Sequence, residues 1–241
     1  MKNISFIFPI KNEEKRLHNL KTFVKWCNKN IDRYEIILVS NGSKDKTNLI
    51  AKKFSKEYKY IKFYFTKYSS RGRAIKIGNE KSRFNLIAIC SIDNAWEFEF
   101  YKKSYQLLKN KKFSIIYGPK DHSKSEIYRP MYRRIISFFC SLFLKTIFGG
   151  LITEDTQCIK MFKKDHAKAV NKLLSNSNFF SECEFHIIAK LLGKNSISIP
   201  VNVKDNKNKV DTFLIFKFIV EAIKFRLSDV FTLNKNKYLG S

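Results

Sequence analysis

Residues 4–14 read ISFIFPIKNEE: an apolar strand, Ile4 to Phe8, that breaks into a polar loop at Lys11-Asn12-Glu13-Glu14. The same grammar returns at residues 35–47, EIILVSNGSKDKT, where a strand over Glu35–Val39 runs into Ser40-Asn41-Gly42-Ser43-Lys44-Asp45. It returns again at Leu86–Cys90, ahead of Ser91-Ile92-Asp93-Asn94-Ala95. A strand with no polar face must be covered on both sides, and helices are the usual cover. The intervening segments supply them. Leu17, Leu20, Val24 and Cys27 recur at helical spacing, and helices are predicted from about Lys46 to Lys56, near Arg73–Lys81 and through Tyr101–Leu108. Further strands are predicted at Ile61–Phe65 and Phe113–Tyr117. Alternating elements of this kind make βαβ units, so the expected fold is α/β, a mostly parallel sheet flanked by helices, with ligands at the carboxyl ends of the strands.

The chain has 241 residues, enough for one domain, expected over residues 1–230 with a polar tail at 231–241. Hydrophobic residues at 44%, with 23 Phe and 11 Tyr, supply an ample core and exclude whole-chain disorder. Cys27, Cys90, Cys140, Cys158 and Cys183 are odd in number and lack CxxC spacing, which argues against a disulfide scaffold and for a reducing compartment. The opening apolar run is too short for a secretory leader. No stretch reaches about 18 uncharged apolar residues, so no transmembrane helix is expected; the nearest, Ile135 to Ile152, is interrupted by Lys145.

The net charge is +26. It has two readings: a polyanionic neighbour (nucleic acid, anionic lipid or phosphorylated substrate), or the Lys/Asn-rich habit of an AT-rich genome. Lys and Arg are spread along the whole chain and no RNA-binding motif occurs, so a nucleic-acid partner is not expected. Two segments of the second half stand out. Arg133, Ser137, Ser141 and Lys145 fall four apart on an otherwise greasy helix, and Lys217, Glu221, Lys224 and Ser228 do nearly the same between Phe213 and Leu227. Both are more apolar than a surface helix requires. Either they pack buried on the sheet, or they lie in a membrane interface with basic flanks on anionic headgroups.

Each of the three strand-end loops could be turn and cap chemistry taken alone; Asn41-Gly42-Ser43 is a good turn and Asp45 a plausible helix cap. Together at successive strand ends they predict a nucleotide pocket. No Walker A or GxGxxG pattern occurs, which argues against a P-loop enzyme or a dinucleotide dehydrogenase.

These residues carry a family resemblance. SFIFPIKNEEKRL resembles the opening of family 2 glycosyltransferases, P-x-Y-N-E-E after a strand. EIILVSNGSKDKT resembles their E-I-I-V-V-D-D-G-S-x-D-x-T, SSRGRAIKIG their G-K-G-A-A-x-R-x-G, and SIDNAWEFE sits where D-x-D belongs. TEDTQCIKMF is similar to D-T-Q-C-G-F-K-L-F, FSECEFHIIAKLLGKNSISIPVNV to F-D-V-E-L-L…G…I-x-E-I-P-V, and NKV at residues 208–210 to the S-K-V that follows. The series, spanning about residues 4 to 227, is that of the polyprenyl-phosphate sugar transferases, nearest to the dolichyl-phosphate glucosyl and then the mannosyl branch.

The resemblance implies a GT-A fold and inverting transfer of a hexose from a UDP- or GDP-sugar to a polyprenyl phosphate. It implies that Pro9, Lys11, Glu13, Ser40, Asn41, Arg71, Ser91 and Asp93 bind the donor, with Asp93 holding Mg²⁺ or Mn²⁺ against the diphosphate. It implies that Lys120, standing where the family has Arg, places the acceptor phosphate together with Arg133 and Ser137, while Asp155 and Gln157 lie near the sugar. Four positions depart from the pattern: Lys11 for Tyr, Ser40-Asn41 for D-D, Ser91 for the first D of D-x-D, and Ile159 for Gly. Alternatives of other kinds are a saccharide acceptor of surface-polymer assembly and a catalytically weakened membrane partner. The family often carries extra C-terminal membrane helices; here a polar tail follows Leu227, so attachment is expected to be peripheral, on the cytoplasmic face of a membrane.

His18, His122, His166 and His186 show no metal spacing and read as surface or packing residues; Trp96 reads as a core anchor. Glu182 and Glu184 have two readings, charge at a helix N-terminus or a sugar- or acceptor-side contact. The cysteines read as small core hydrophobes.

Overall fold

The computed structural model describes residues 1–93, 97–110, 112–128, 130–152, 154–155, 158–175, 179–204 and 212–233. Its first half follows the expected alternation. β1 (Ile4–Ile10), β2 (Tyr34–Asn41), β3 (Ile61–Thr66) and β4 (Leu86–Ile89) pair in parallel, separated by α1 (Leu20–Asn30), α2 (Thr47–Glu57) and α3 (Arg71–Lys81). All seven residues of β1 are buried, as a strand apolar on both faces requires. Two cores result. On one face Phe6 and Phe8 meet Leu20, Phe23 and Cys27 of α1, Phe54 of α2, and Phe100 and Leu108 of α4 (Glu99–Lys109). On the other, Ile7 and Ile37 meet Ala74 and Ile75 of α3. There a Cβ on Gly78 would come within 2.4 Å of Ile7 Cγ2, so the helix lies as close to β1 as glycine permits.

The second half completes the sheet in a way the strand spacing did not show. β5 (Ile115–Gly118) does not pair with β4. β7 (Ile159–Lys163) inserts between them, antiparallel to both, and the seven-stranded order is β3-β2-β1-β4-β7-β5-β8, with β8 (Ser196–Ser198) at the edge. A separate parallel pair joins β6 (Glu126–Tyr128) to β9 (Asn202–Lys204). Helices α6 (Lys164–Leu173) and α7 (Ser181–Leu191) cover the second face, with α5 (Met131–Phe148) and α8 (Thr212–Arg226) beyond them. The expected domain boundary at residue 230 falls inside this core: Phe231 is 1% exposed and packs on Phe148 at 5.6 Å and Phe225 at 5.9 Å.

Helices α5 and α8 are not buried on the sheet. Leu144 and Phe148 anchor α5, and Phe218, Ala222 and Phe225 anchor α8. Met131, Ile135, Phe138, Phe139 and Leu142 face outward, as do Phe213, Phe216, Ile223 and Leu227. Arg133, Ser137 and Ser141 are half-buried, so the start of the polar stripe on α5 turns inward, whereas Lys145 is exposed. Glu221 of α8 also turns inward: its carboxylate accepts from the N–H groups of Phe179 and Phe180 at 2.8 and 2.9 Å, beside the N-terminus of α7. The stretch Met131–Leu151 is, by length and composition, apolar enough to cross a membrane, and 17% of its most apolar 18 residues are buried. Lys145, within the apolar part of the stretch, does not change that.

Candidate active site

After β1 the chain builds β2 and β3 on one side and returns to place β4 on the other, so the strand order reverses between β1 and β4. Loops leaving adjacent strands in opposite directions open a crevice there, where ligands of parallel sheets bind. The loop after β1 carries Lys11 to Glu14, that after β2 Gly42 to Lys46, and that after β4 Ser91 to Asp93. Because β7 runs antiparallel, its beginning lies on the same edge: Ile89 is opposite Lys160, and Gly118 opposite Ile159. Asp93, Lys120, Asp155 and Lys160 therefore arrive at one rim from three separate parts of the chain.

The first two loops are laced together. Ser43 Oγ accepts from the Asn12 N–H at 3.2 Å, Asn12 Oδ1 from the Lys44 N–H at 2.9 Å, and Thr47 Oγ1 from the Glu13 N–H at 2.7 Å. Asp45 accepts from the N–H groups of Thr47 and Glu14, and these bonds outweigh its slight burial to hold its carboxyl below the usual range. Gly42 sits at φ +73°, and a Cβ there would come 3.0 Å from Ser69 N, so both its backbone and its space require glycine. Lys11 donates to Ser69 Oγ at 2.7 Å and bridges from the β1 loop to the segment before α3, where Ser70 caps the helix by accepting from the Arg73 N–H. Ser40 and Asn41 are buried at the end of β2, and Ser40 Oγ is 2.8 Å from Ser43 Oγ. Glu13 pairs with Arg16 at 2.7 Å. Asn19 holds the third loop by donating from Nδ2 to the Ile92 carbonyl at 3.2 Å. The loops that carry Lys11, Glu13, Ser91 and Asp93 thus leave the carboxyl ends of neighbouring strands, with Pro9 buried in β1, Ser40 and Asn41 buried at the end of β2, and Arg71 the first residue of α3.

On the other side Lys120 Nζ lies 3.3 Å from an Asp155 carboxylate oxygen, joining two residues that the sequence places 35 positions apart. The Asp155 N–H donates to Asp121 Oδ1 at 2.6 Å. Cys158 is buried here. Burial, with Asp155 and Glu182, pushes its thiol up to about 12 against the pull of Lys160 and Lys120, so it is a packing residue. Arg133 and Ser137 stand on the inward side of α5, which begins three residues after β6. Gln157 and Trp96 lie outside the described residues, as do residues 208–210.

The two acidic residues of α7 separate. Glu184 is a structural residue: its carboxylate accepts from the Ser175 hydroxyl at 2.8 Å and from the Ser175 N–H. Glu182 instead receives Arg71 and Lys160. Lys160 was missed by the sequence reading, although a lysine at the second position of the apolar strand IKMF was a visible signal. His186 packs its ring 4.5 Å from that of Tyr117, and burial, with Lys190 and Lys160 nearby, pulls it down to about 3, so it is neutral.

Asp93 is the first carboxylate after β4 and Ser91 a hydroxyl two residues before it; among the described residues no group of three or more His, Cys, Asp or Glu is placed to hold an ion. One carboxylate fits a hard cation that brings phosphate oxygens and water as its remaining ligands.

The model of the family described as "Glycosyl transferase family 2" matches residues 5–170. The chain belongs to that family. Similar proteins include a dolichyl-phosphate beta-glucosyltransferase of Trichomonas vaginalis, 25% identical over 98% of this chain and 77% of that protein, and one of Homo sapiens, 28% identical over 83% and 67%. Among solved structures, the glucosyl-3-phosphoglycerate synthase of Mycobacterium tuberculosis, in complex with Mn²⁺, UDP and glucosyl-3-phosphoglycerate, superposes with a TM-score of 0.67 at 11% identity, covering 93% of this chain and 79% of that one. The fold is therefore GT-A, and this family 2 member is a glycosyltransferase.

Proposed function

We propose that this glycosyltransferase moves a hexose, glucose before mannose, from a UDP- or GDP-sugar to a polyprenyl phosphate at a membrane surface, with inversion. The carrying observation is that the polar rim of the sheet leads, through β6, into a helix whose apolar residues face outward and whose Arg133 and Ser137 face inward. A lipid acceptor needs that arrangement: a greasy plane for its tail and cations at the rim for its phosphate. The names of the relatives above support the same acceptor. The five free cysteines favour a reducing compartment, and so the cytoplasmic face; attachment there is peripheral in this reading.

In this reading the crevice between the β1, β2 and β4 loops binds the nucleoside diphosphate. A Mg²⁺ or Mn²⁺ ion on Asp93 would neutralise charge developing on the departing diphosphate. The acceptor phosphate is already anionic, so a strong general base is less necessary than for a sugar hydroxyl. What the chain supplies is placement: Lys120, steered by Asp155, together with Arg133 and Ser137, holds the phosphate oxygen for in-line attack on the anomeric carbon. The test is incubation of the pure protein with polyprenyl phosphate, Mg²⁺ or Mn²⁺ and a panel of labelled nucleotide sugars. A lipid-linked sugar with one donor is expected. No product with any donor, from protein that still binds vesicles, would leave a membrane-bound relative without transferase activity, as the serines at positions 40 and 91 would then explain.

A further inference from the structure

Two cations converge on one buried carboxylate beside the donor crevice. Glu182 Oε1 accepts from Arg71 Nε at 2.6 Å and has an Arg71 Nη at the same distance; its Oε2 accepts from Lys160 Nζ. The residues come from α7, α3 and β7, so the fold alone assembles them. The cations differ in one respect. The Lys160 side chain is 2% exposed, within a strand flanked by β4 and β5, whereas that of Arg71 is 34% exposed at the start of α3, two residues from the Ser69 hydroxyl that Lys11 reaches. Burial pushes the Glu182 carboxyl up, but Arg71 and Lys160 overcome it and hold it at about 2. A single buried carboxylate requires one cation for compensation. The second can leave if water or another anion receives it, and only the exposed one can be so received.

We infer that Arg71 is a diphosphate clamp held in reserve: it rests on Glu182 in the free protein and turns to the donor diphosphate on binding, while Lys160 is the positioning residue that keeps Glu182 compensated and so lets Arg71 go. This rests on the donor-binding reading given above. The N-terminus of α3, where Arg71 sits, adds backbone N–H groups that favour the same anion.

The experiment measures binding of UDP and inorganic pyrophosphate by calorimetry, with full-length protein in Mg²⁺ buffer at fixed ionic strength. Lys160→Met leaves Arg71 as the near cation of a buried carboxylate and locks it there; affinity is expected to fall roughly tenfold, the scale of one hydrogen bond to a charged group. Adding Glu182→Gln frees Arg71 and is expected to restore most of the loss. A pair that merely supports the fold gives a double variant no better than the single one, and that result overturns the clamp. Should Lys160→Met fail to fold, Arg71→Gln is compared in the wild type and in the Lys160→Met/Glu182→Gln chain. A roughly tenfold loss in both is expected, and no loss in either refutes the inference. Sugar transfer plays no part in the readout. Rescue without transfer removes the proposed reaction and leaves the clamp standing; transfer without rescue does the reverse.

Discussion

Helices α1 and α5 obey opposite rules. In α1 the apolar residues Leu20, Phe23, Val24 and Cys27 are buried and the lysines exposed, as packing against a sheet demands. In α5 Phe138 and Phe139 are more than 60% exposed while Arg133 and Ser137 turn in. The first arrangement stabilises a fold in water. The second leaves apolar surface in water to no benefit of the fold, which is the arrangement the proposed membrane contact requires. Residue type alone does not distinguish them; the direction of the apolar face does.

The sharpest contrast between the two is a matched pair of substitutions. Phe23 is the hub of an aromatic cluster, with ring centroids 5.0 Å from both Phe6 and Phe8. Phe23→Ala should cost about 3–5 kcal/mol in chemical denaturation. Phe138→Glu with Phe139→Glu should leave the same denaturation curve nearly unmoved but abolish sedimentation with anionic vesicles, since each exposed Phe contributes about 1.5–3 kcal/mol on burial. An unfolded double variant would return α5 to the core.

Between these regions lies the polar rim, where Asp93→Ala should lower turnover by about a hundredfold or more at saturating donor and Mg²⁺; near-normal rates would move the metal elsewhere. Weaker still, Lys217→Glu plus Lys224→Glu should reduce vesicle binding, each lysine contributing about 1 kcal/mol near an anionic leaflet. Both are exposed on α8, whereas Glu221 on the same helix supports α7. Unchanged sedimentation would limit attachment to the apolar contacts.

The smallest effect belongs to the buried side. His186 is held neutral, with its ionisation at about 3 instead of the ordinary 6.5. Below pH 6.5 the unfolded chain takes up a proton that the folded chain refuses, so stability falls as pH drops. At pH 5.5 the loss is about 1 kcal/mol. His186→Leu should flatten that part of the Tm-versus-pH curve; an unchanged slope would assign it to other groups.

The strands of the first half were legible because each carries its own signature: ISFIF and IILV are buried on both faces wherever they are placed. The three loops were legible for the same reason, each polar run beginning where a buried strand ends. The insertion of β7 was not, since strand order is a matter of which hydrogen-bonding edges meet, and the five residues IKMFK carry no label of direction. Nor was the inward turn of Glu221, which depends on the N–H groups of Phe179 and Phe180, just ahead of α7 and more than 40 residues away in the chain.

Composition and local pattern were thus enough for the α/β class, the rim of candidate residues and the presence of two unusually greasy helices, because burial preference and turn chemistry reside in neighbouring side chains. The meeting of Lys120 with Asp155, the gathering of Arg71 and Lys160 on Glu182, and the outward aim of Phe138 and Phe139 came from the packed chain. Those are relations between distant segments, and distance in the chain says nothing of distance in space until the sheet has closed.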